Sequence, residues 1–112
     1  MKFNSFCVGD TENGEVYRLR EGLGLVGYVQ TSIDRLLNYL GPGLGPSPDG
    51  KARMEWTIQF ADGMVVSIYD WKSSGPIEEV EIWNIAGEGI KVLERVREVL
   101  NLQGTAVQIW PK

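Results

Sequence analysis

The chain has 112 residues, 43% hydrophobic and 23% charged, which is the balance of one ordinary globular domain and argues against a disordered chain. Its formal charge of −4 excludes a general nucleic-acid binder, which needs a basic face to displace counterions from phosphates. One cysteine and no histidine exclude an intrachain disulfide and any imidazole-based triad, proton shuttle or metal site.

Residues 1–30 read as short N-terminal strands. Met1 to Val8 alternates weakly, Gly9 to Gly14 is a turn-forming cluster and Val16 to Arg20 reads as a strand, which together predict a hairpin. Cys7 has no histidine or obvious base in company and fits a small buried hydrophobe better than a nucleophile. Gly22, Gly24 and Gly27 lack the βαβ context of a dinucleotide fingerprint and are read as bends or bulges between short strands. A helix is predicted over 31–41. Thr31 or Ser32 caps it, Ile33, Leu36, Leu37 and Leu40 form its apolar stripe, and Gly41-Pro42 stops it. Residues 42–52 are too rich in Gly and Pro for regular structure and are read as a surface connection or a lid.

Arg53 to Lys72 is the strongest hairpin signal, two alternating runs about Ala61-Asp62-Gly63. Met54, Trp56, Ile58 and Phe60 share one face, Arg53, Glu55, Thr57 and Gln59 the other. A two-residue loop would set Glu55 against Asp70 and Arg53 against Lys72, like charges face to face. A three-residue loop with Gly63 left-handed instead puts Phe60, Ile58 and Trp56 opposite Met64, Val66 and Ile68, and that is the expected register. The second face then carries Val65, Ser67, Tyr69 and Trp71 among polar groups, and function is expected there.

Val80 to Ile85 reads as the third strand of a meander over 53–85. Val80 and Ile82 are assigned to the core and Glu81 and Trp83 to the other side, beside Tyr69 and Trp71. A second helix is predicted over 88–101, burying Val92, Leu93, Val96, Val99 and Leu100 and solvating Lys91, Glu94, Arg95, Arg97 and Glu98. The tail over 104–112 is strand-like and is expected to tuck onto its own sheet edge or across to a partner subunit. The fold class is α+β, an antiparallel β-sheet of a hairpin plus a three-stranded meander with two helices packed on one face. No apolar run approaches the roughly 18 residues of a membrane span, and the expected location is the cytosol.

Gly27-Tyr28-Val29-Gln30-Thr31-Ser32, Leu40-Gly41, Glu55-Trp56, Phe60-Ala61-Asp62-Gly63, Ile68-Tyr69-Asp70-Trp71-Lys72 and Trp83-Asn84-Ile85-Ala86-Gly87 together resemble a group of small accessory proteins of tailed bacteriophages. The resemblance spans Gly27 to Leu100. Members often carry Trp-His-Ile-Gly-Gly where this chain has Trp83 to Gly87, so a role resting on that imidazole does not transfer. The resemblance implies a phage gene outside the virion-assembly set, a class enriched in proteins that block host defence.

Three functions compete for these residues. In the first, Tyr69, Trp71 and Trp83 stack a nucleobase while Arg53, Lys72 and Arg35 reach a phosphate. Stacking contributes about 1–3 kcal/mol per base, so two rings and a cation would hold a small nucleotide. The plainer alternative is that the rings pack against the N-terminal strands or across a homodimer. In the second, Glu78, Glu79 and Glu81 meet a basic surface on a host defence protein such as a CRISPR effector. The plainer alternative there is a strand edge charged against aggregation. In the third, a hydrolase uses Glu55 and Asp70, but the expected register puts them on opposite faces. Aromatic and basic groups gather in the hairpin that carries the resemblance. The preferred expectation is therefore non-catalytic sequestration of a small, cyclic nucleotide immune signal by a homo-oligomer in the host cytoplasm, with no cofactor, metal or membrane partner.

Overall fold

Among the described residues, the alternation of apolar and polar residues resolves into six strands and two helices. The computed structural model describes residues 3–5, 23–43, 45–46, 52–60, 62–71, 74–102 and 106–109. Its elements run β1 Phe3–Ser5, β2 Gly24–Gln30, α1 Ile33–Leu40, β3 Glu55–Phe60, β4 Val65–Tyr69, a 3₁₀ turn Ile77–Glu79, β5 Ile82–Gly87, α2 Val92–Val99 and β6 Val107–Ile109. The strands form one sheet in the order β1-β3-β4-β5-β2-β6, every neighbouring pair antiparallel. This is an α+β fold with both helices on one face of the sheet.

The hairpin has the expected register, with Trp56 opposite Ile68 and Ile58 opposite Val66. Phe60 donates its N–H to Met64 O at 2.8 Å, and Gly63 closes the turn at φ +93°, a conformation that costs an L side chain energy and glycine none. The core takes Trp56, Ile58 and Phe60 from β3, Val66 and Ile68 from β4, Trp83 and Ile85 from β5, Val29 from β2 and Val107 from β6. Ile33, Leu36 and Leu40 of α1 and Val92, Leu93 and Val96 of α2 cover these side chains from one side. Ser32 caps α1, its side chain accepting the Arg35 N–H, and Gly41 ends the helix at φ +84°.

Three expectations need correction. The third strand starts at Ile82, after a 3₁₀ turn, and its phase is the reverse of the one expected: Trp83 and Ile85 are buried in the core and Ile82 is exposed. Pairing with β4 forces this, because Ile85 sits opposite Ile68 and must share its face. The glycine-rich stretch is a single seven-residue strand, β2, with a bulge between Leu25 and Gly27, and it pairs with both β5 and β6. The second face is also largely withdrawn from water, since Glu55, Thr57, Val65 and Ser67 are all buried.

The tail pairs on its own sheet through β6, as one of its two expected fates requires. Strand β1 pairs with β3, whereas the expected partner strand over 16–20, Cys7 and most of the 42–52 connection lie outside the described residues. Among the described residues no helix is long and apolar enough to cross a membrane.

Candidate functional site

Strand registers on the face away from the helices align side chains into transverse rows. Glu55 lies opposite Tyr69, Tyr69 opposite Asn84, Asn84 opposite Tyr28, and Tyr28 opposite Gln108. Tyr28 donates its hydroxyl to Gln108 Oε1 at 2.8 Å, and Thr57 and Ser67 share a hydroxyl hydrogen bond at 3.1 Å one step along the hairpin. Glu55 is only 1% exposed and Tyr28 is buried, whereas Tyr69 and Asn84 are half-buried and Gln108 is exposed, so the row passes from interior to surface.

The next row outward is open. Glu55–Tyr69 and Tyr69–Asn84 are the last paired residues at this end of the sheet, and Arg53, Trp71 and Ile82 each lie two residues beyond them along their own segments. Gln30, opposite Ile82 on β2, is exposed and ends the row. Trp71 is 46% exposed and Ile82 45%, large apolar areas left in water at the end of the sheet. Trp71 meets Tyr69 edge to face, with centroids 6.1 Å apart, which steadies the exposed ring without covering it.

Arg53 is fixed in place. Its N–H and that of Met54 reach Asp70 Oδ1 at 2.8 and 2.9 Å, its Nε lies 3.3 Å from Asp70 Oδ2, and its Nη1 donates to Gly75 O at 2.6 Å. Asp70 is fully buried, so its carboxylate ties together the ends of the two hairpin strands. The chain then passes Gly75, at φ +78°, into the 3₁₀ turn, where Glu78, Glu79 and Glu81 are exposed before Ile82.

The six residues expected to bind a ligand therefore separate. Arg53, Tyr69 and Trp71 gather at one end of the hairpin. Trp83 is wholly buried, packed edge to face on Trp56 and donating its indole N–H to Thr31 O at 3.2 Å, so it offers no stacking surface beside Trp71. Arg35 lies on α1, where Nη1 donates to Leu100 O at 3.1 Å and the guanidinium sits 5.7 Å from the Tyr39 ring. That is a cap on the end of α2, on the helix side of the sheet. Lys72 lies outside the described residues. Ile82, missed by the sequence reading, enters the surface because the phase of β5 is reversed.

A second feature lies at the other end of the hairpin. Asp62 in the turn forms a two-contact ion pair with Arg95 of α2, and Asp62 Oδ1 accepts the Met64 N–H at 3.1 Å. The Arg95 hydrogen bonds first and the Met64 N–H second hold the Asp62 carboxyl down at about 2, from 3.8. The Arg95 guanidinium also lies 5.1 Å from the Phe60 ring. Among the described residues no group of three or more Cys, Asp or Glu is placed to hold a metal ion.

Comparison with protein-family models, with curated proteins and with solved structures finds no match to this chain.

Proposed function

We propose that this protein is a phage-encoded antagonist of host defence that works without catalysis, by covering a basic surface of a host defence protein in the host cytoplasm. The phage setting comes from the sequence resemblance. The mode of action is supported by one observation: Trp71 and Ile82 are nearly half exposed each, and Glu78, Glu79 and Glu81 are exposed in the segment that leads into Ile82. Exposed aromatic and aliphatic anchors with acidic residues nearby suit a protein interface, where the apolar centre supplies affinity and the charges steer encounter. The net charge of −4 acts in the same direction on a basic partner.

Capture of a small cyclic nucleotide is the second reading. It is favoured by the edge-to-face Tyr69–Trp71 pair standing beside Arg53. Of the three rings expected to stack, Trp83 is buried, Tyr69 half-buried and Trp71 exposed, and an open surface is a poorer small-molecule site than a concave pocket.

The test is infection. Bacteria carrying single defence systems are challenged with a sensitive phage while expressing the wild-type chain, Trp71→Ala, or Glu78→Lys/Glu79→Lys/Glu81→Lys. Rescue of plaque formation by the wild type and its loss in both variants, with unchanged circular dichroism, is the expected result. Rescue that survives both substitutions would remove this surface from the mechanism. A nucleotide released from the wild-type protein in native mass spectrometry, and absent from Trp71→Ala, would establish the second reading instead.

A further inference from the structure

The hairpin turn and the segment leading into α2 enclose an open groove of about 640 Å³, whose lining includes Asp62, Met64, Glu88, Ile90, Lys91 and Val92. The Asp62–Arg95 ion pair joins the turn to α2 beside this groove. Ile90 stands on one wall and is 59% exposed, more than Trp71 or Ile82. An aliphatic side chain is thus presented to water next to a groove floored by the apolar Met64 and Val92.

We infer that this groove is a homodimer interface, in which Ile90 of each copy fills the groove of the other. The patch is self-complementary. Knob and groove belong to the same patch of one chain, which is what a twofold-symmetric contact requires, since each residue in it must meet its counterpart's surroundings. The charges obey the same symmetry. Glu88 and Lys91 flank Ile90 with opposite signs, so a twofold axis beside Ile90 sets Lys91 of each copy against Glu88 of the other. A partner of single charge would leave one of these groups opposed by its own sign.

The inference is independent of the proposed function, because the two surfaces lie at opposite ends of β4. Met64 precedes that strand and Trp71 follows it, about 23 Å of extended chain apart. Dimerisation through Ile90 leaves both Trp71 rows open, and the assembled protein presents two copies of its binding surface.

Sedimentation velocity across a concentration series tests it on the full chain, whose monomer is 12.5 kDa. The wild type is expected to sediment at twice that mass, and Ile90→Asp to weaken dimerisation by about thirtyfold or more, as loss of a central apolar anchor does. Ile90 is exposed in the single chain, so at dilutions where the wild type is also monomeric this variant keeps the wild-type thermal midpoint. Glu88→Lys and Lys91→Glu each weaken the dimer, and the double exchange restores it. A wild-type chain that stays monomeric, or a dimer indifferent to Ile90→Asp, overturns the interface. A dimer lost in Ile90→Asp but not rescued by the double exchange overturns its twofold pairing.

Discussion

Trp56 and Trp83 meet edge to face in the core, ring centroids 5.5 Å apart, and each holds one end of the same helix. Trp56 donates its indole N–H to Gly41 O, just past the end of α1, at 2.8 Å, and Trp83 donates to Thr31 O, just before its start, at 3.2 Å. Both rings are fully buried, so the pair fixes where an eight-residue helix lies on the sheet. A helix this short is marginal by propensity alone and depends on such tertiary anchors.

Trp83→Phe keeps an aromatic ring but removes the N–H and leaves a void. We expect it to destabilise the fold by about 2 kcal/mol, the sum of a lost hydrogen bond to the half-buried Thr31 carbonyl and partial loss of packing. Trp71→Phe, on the exposed row, should change stability by less than about 0.5 kcal/mol. Urea denaturation followed by circular dichroism compares the two. Equal effects would contradict the separation of one core tryptophan from one surface tryptophan.

Acid acts on the turn. Asp62 has its carboxyl held at about 2, below its ordinary 3.8, so the folded state favours the ionised form. Such a group contributes stability that is fully present above its unfolded value and is lost as pH falls through its folded value. The window is therefore from about pH 4 down to about pH 2. Asp62→Asn should have a lower thermal midpoint than the wild type near about pH 6, with the gap closing across that window. A gap that is unchanged at the acid end would mean that the ion pair with Arg95 contributes no pH-dependent stability.

Gly27 is the close point of β2. A Cβ there would run into the backbone carbonyl of Gln108 and come within 2.7 Å of Leu93 Cδ2, so the obstacle includes main chain that cannot swing aside. Gly27→Ala should push β6 off the sheet edge at a cost of about 1–3 kcal/mol. Amide exchange at Val107 to Ile109 reads it directly. Faster exchange there than in β3 and β4 is the expected pattern, and uniform behaviour across the sheet would place the strain elsewhere.

The parts of the fold legible in the sequence were those decided by local chemistry. The hairpin register followed from like charges that the wrong loop would oppose, and α1 from Ser32, its apolar stripe and Gly41. The phase of β5 was not local: Ile82-Trp83-Asn84-Ile85 offers apolar residues in either phase, and the 3₁₀ turn breaks the alternation begun at Val80. Asn84 between Trp83 and Ile85 was the available signal, together with the need for Ile85 to face Ile68. Gly27 hid a strand because its small size answers Leu93, a contact that spacing does not encode. The candidate site suffered from the same cause, since Trp83 left it and Ile82 joined it when one strand turned over.

Arg35 separates the two functional readings most cheaply. It was expected to reach a ligand phosphate, yet its Nη1 bonds Leu100 O across 65 positions of sequence and its guanidinium lies over the Tyr39 ring. Leu100 closes α2, so the guanidinium satisfies a carbonyl that the end of a helix leaves without an intrahelical donor. Arg35→Ala should lower stability by about 1 kcal/mol, the net worth of one such hydrogen bond, and leave rescue of phage infection intact at a temperature where the variant is folded. A folded Arg35→Ala protein that no longer rescues infection would return Arg35 to the binding site and with it the nucleotide reading. Lysine at this position distinguishes charge from geometry: it keeps the cation but loses the planar fork, and should recover only part of the lost stability.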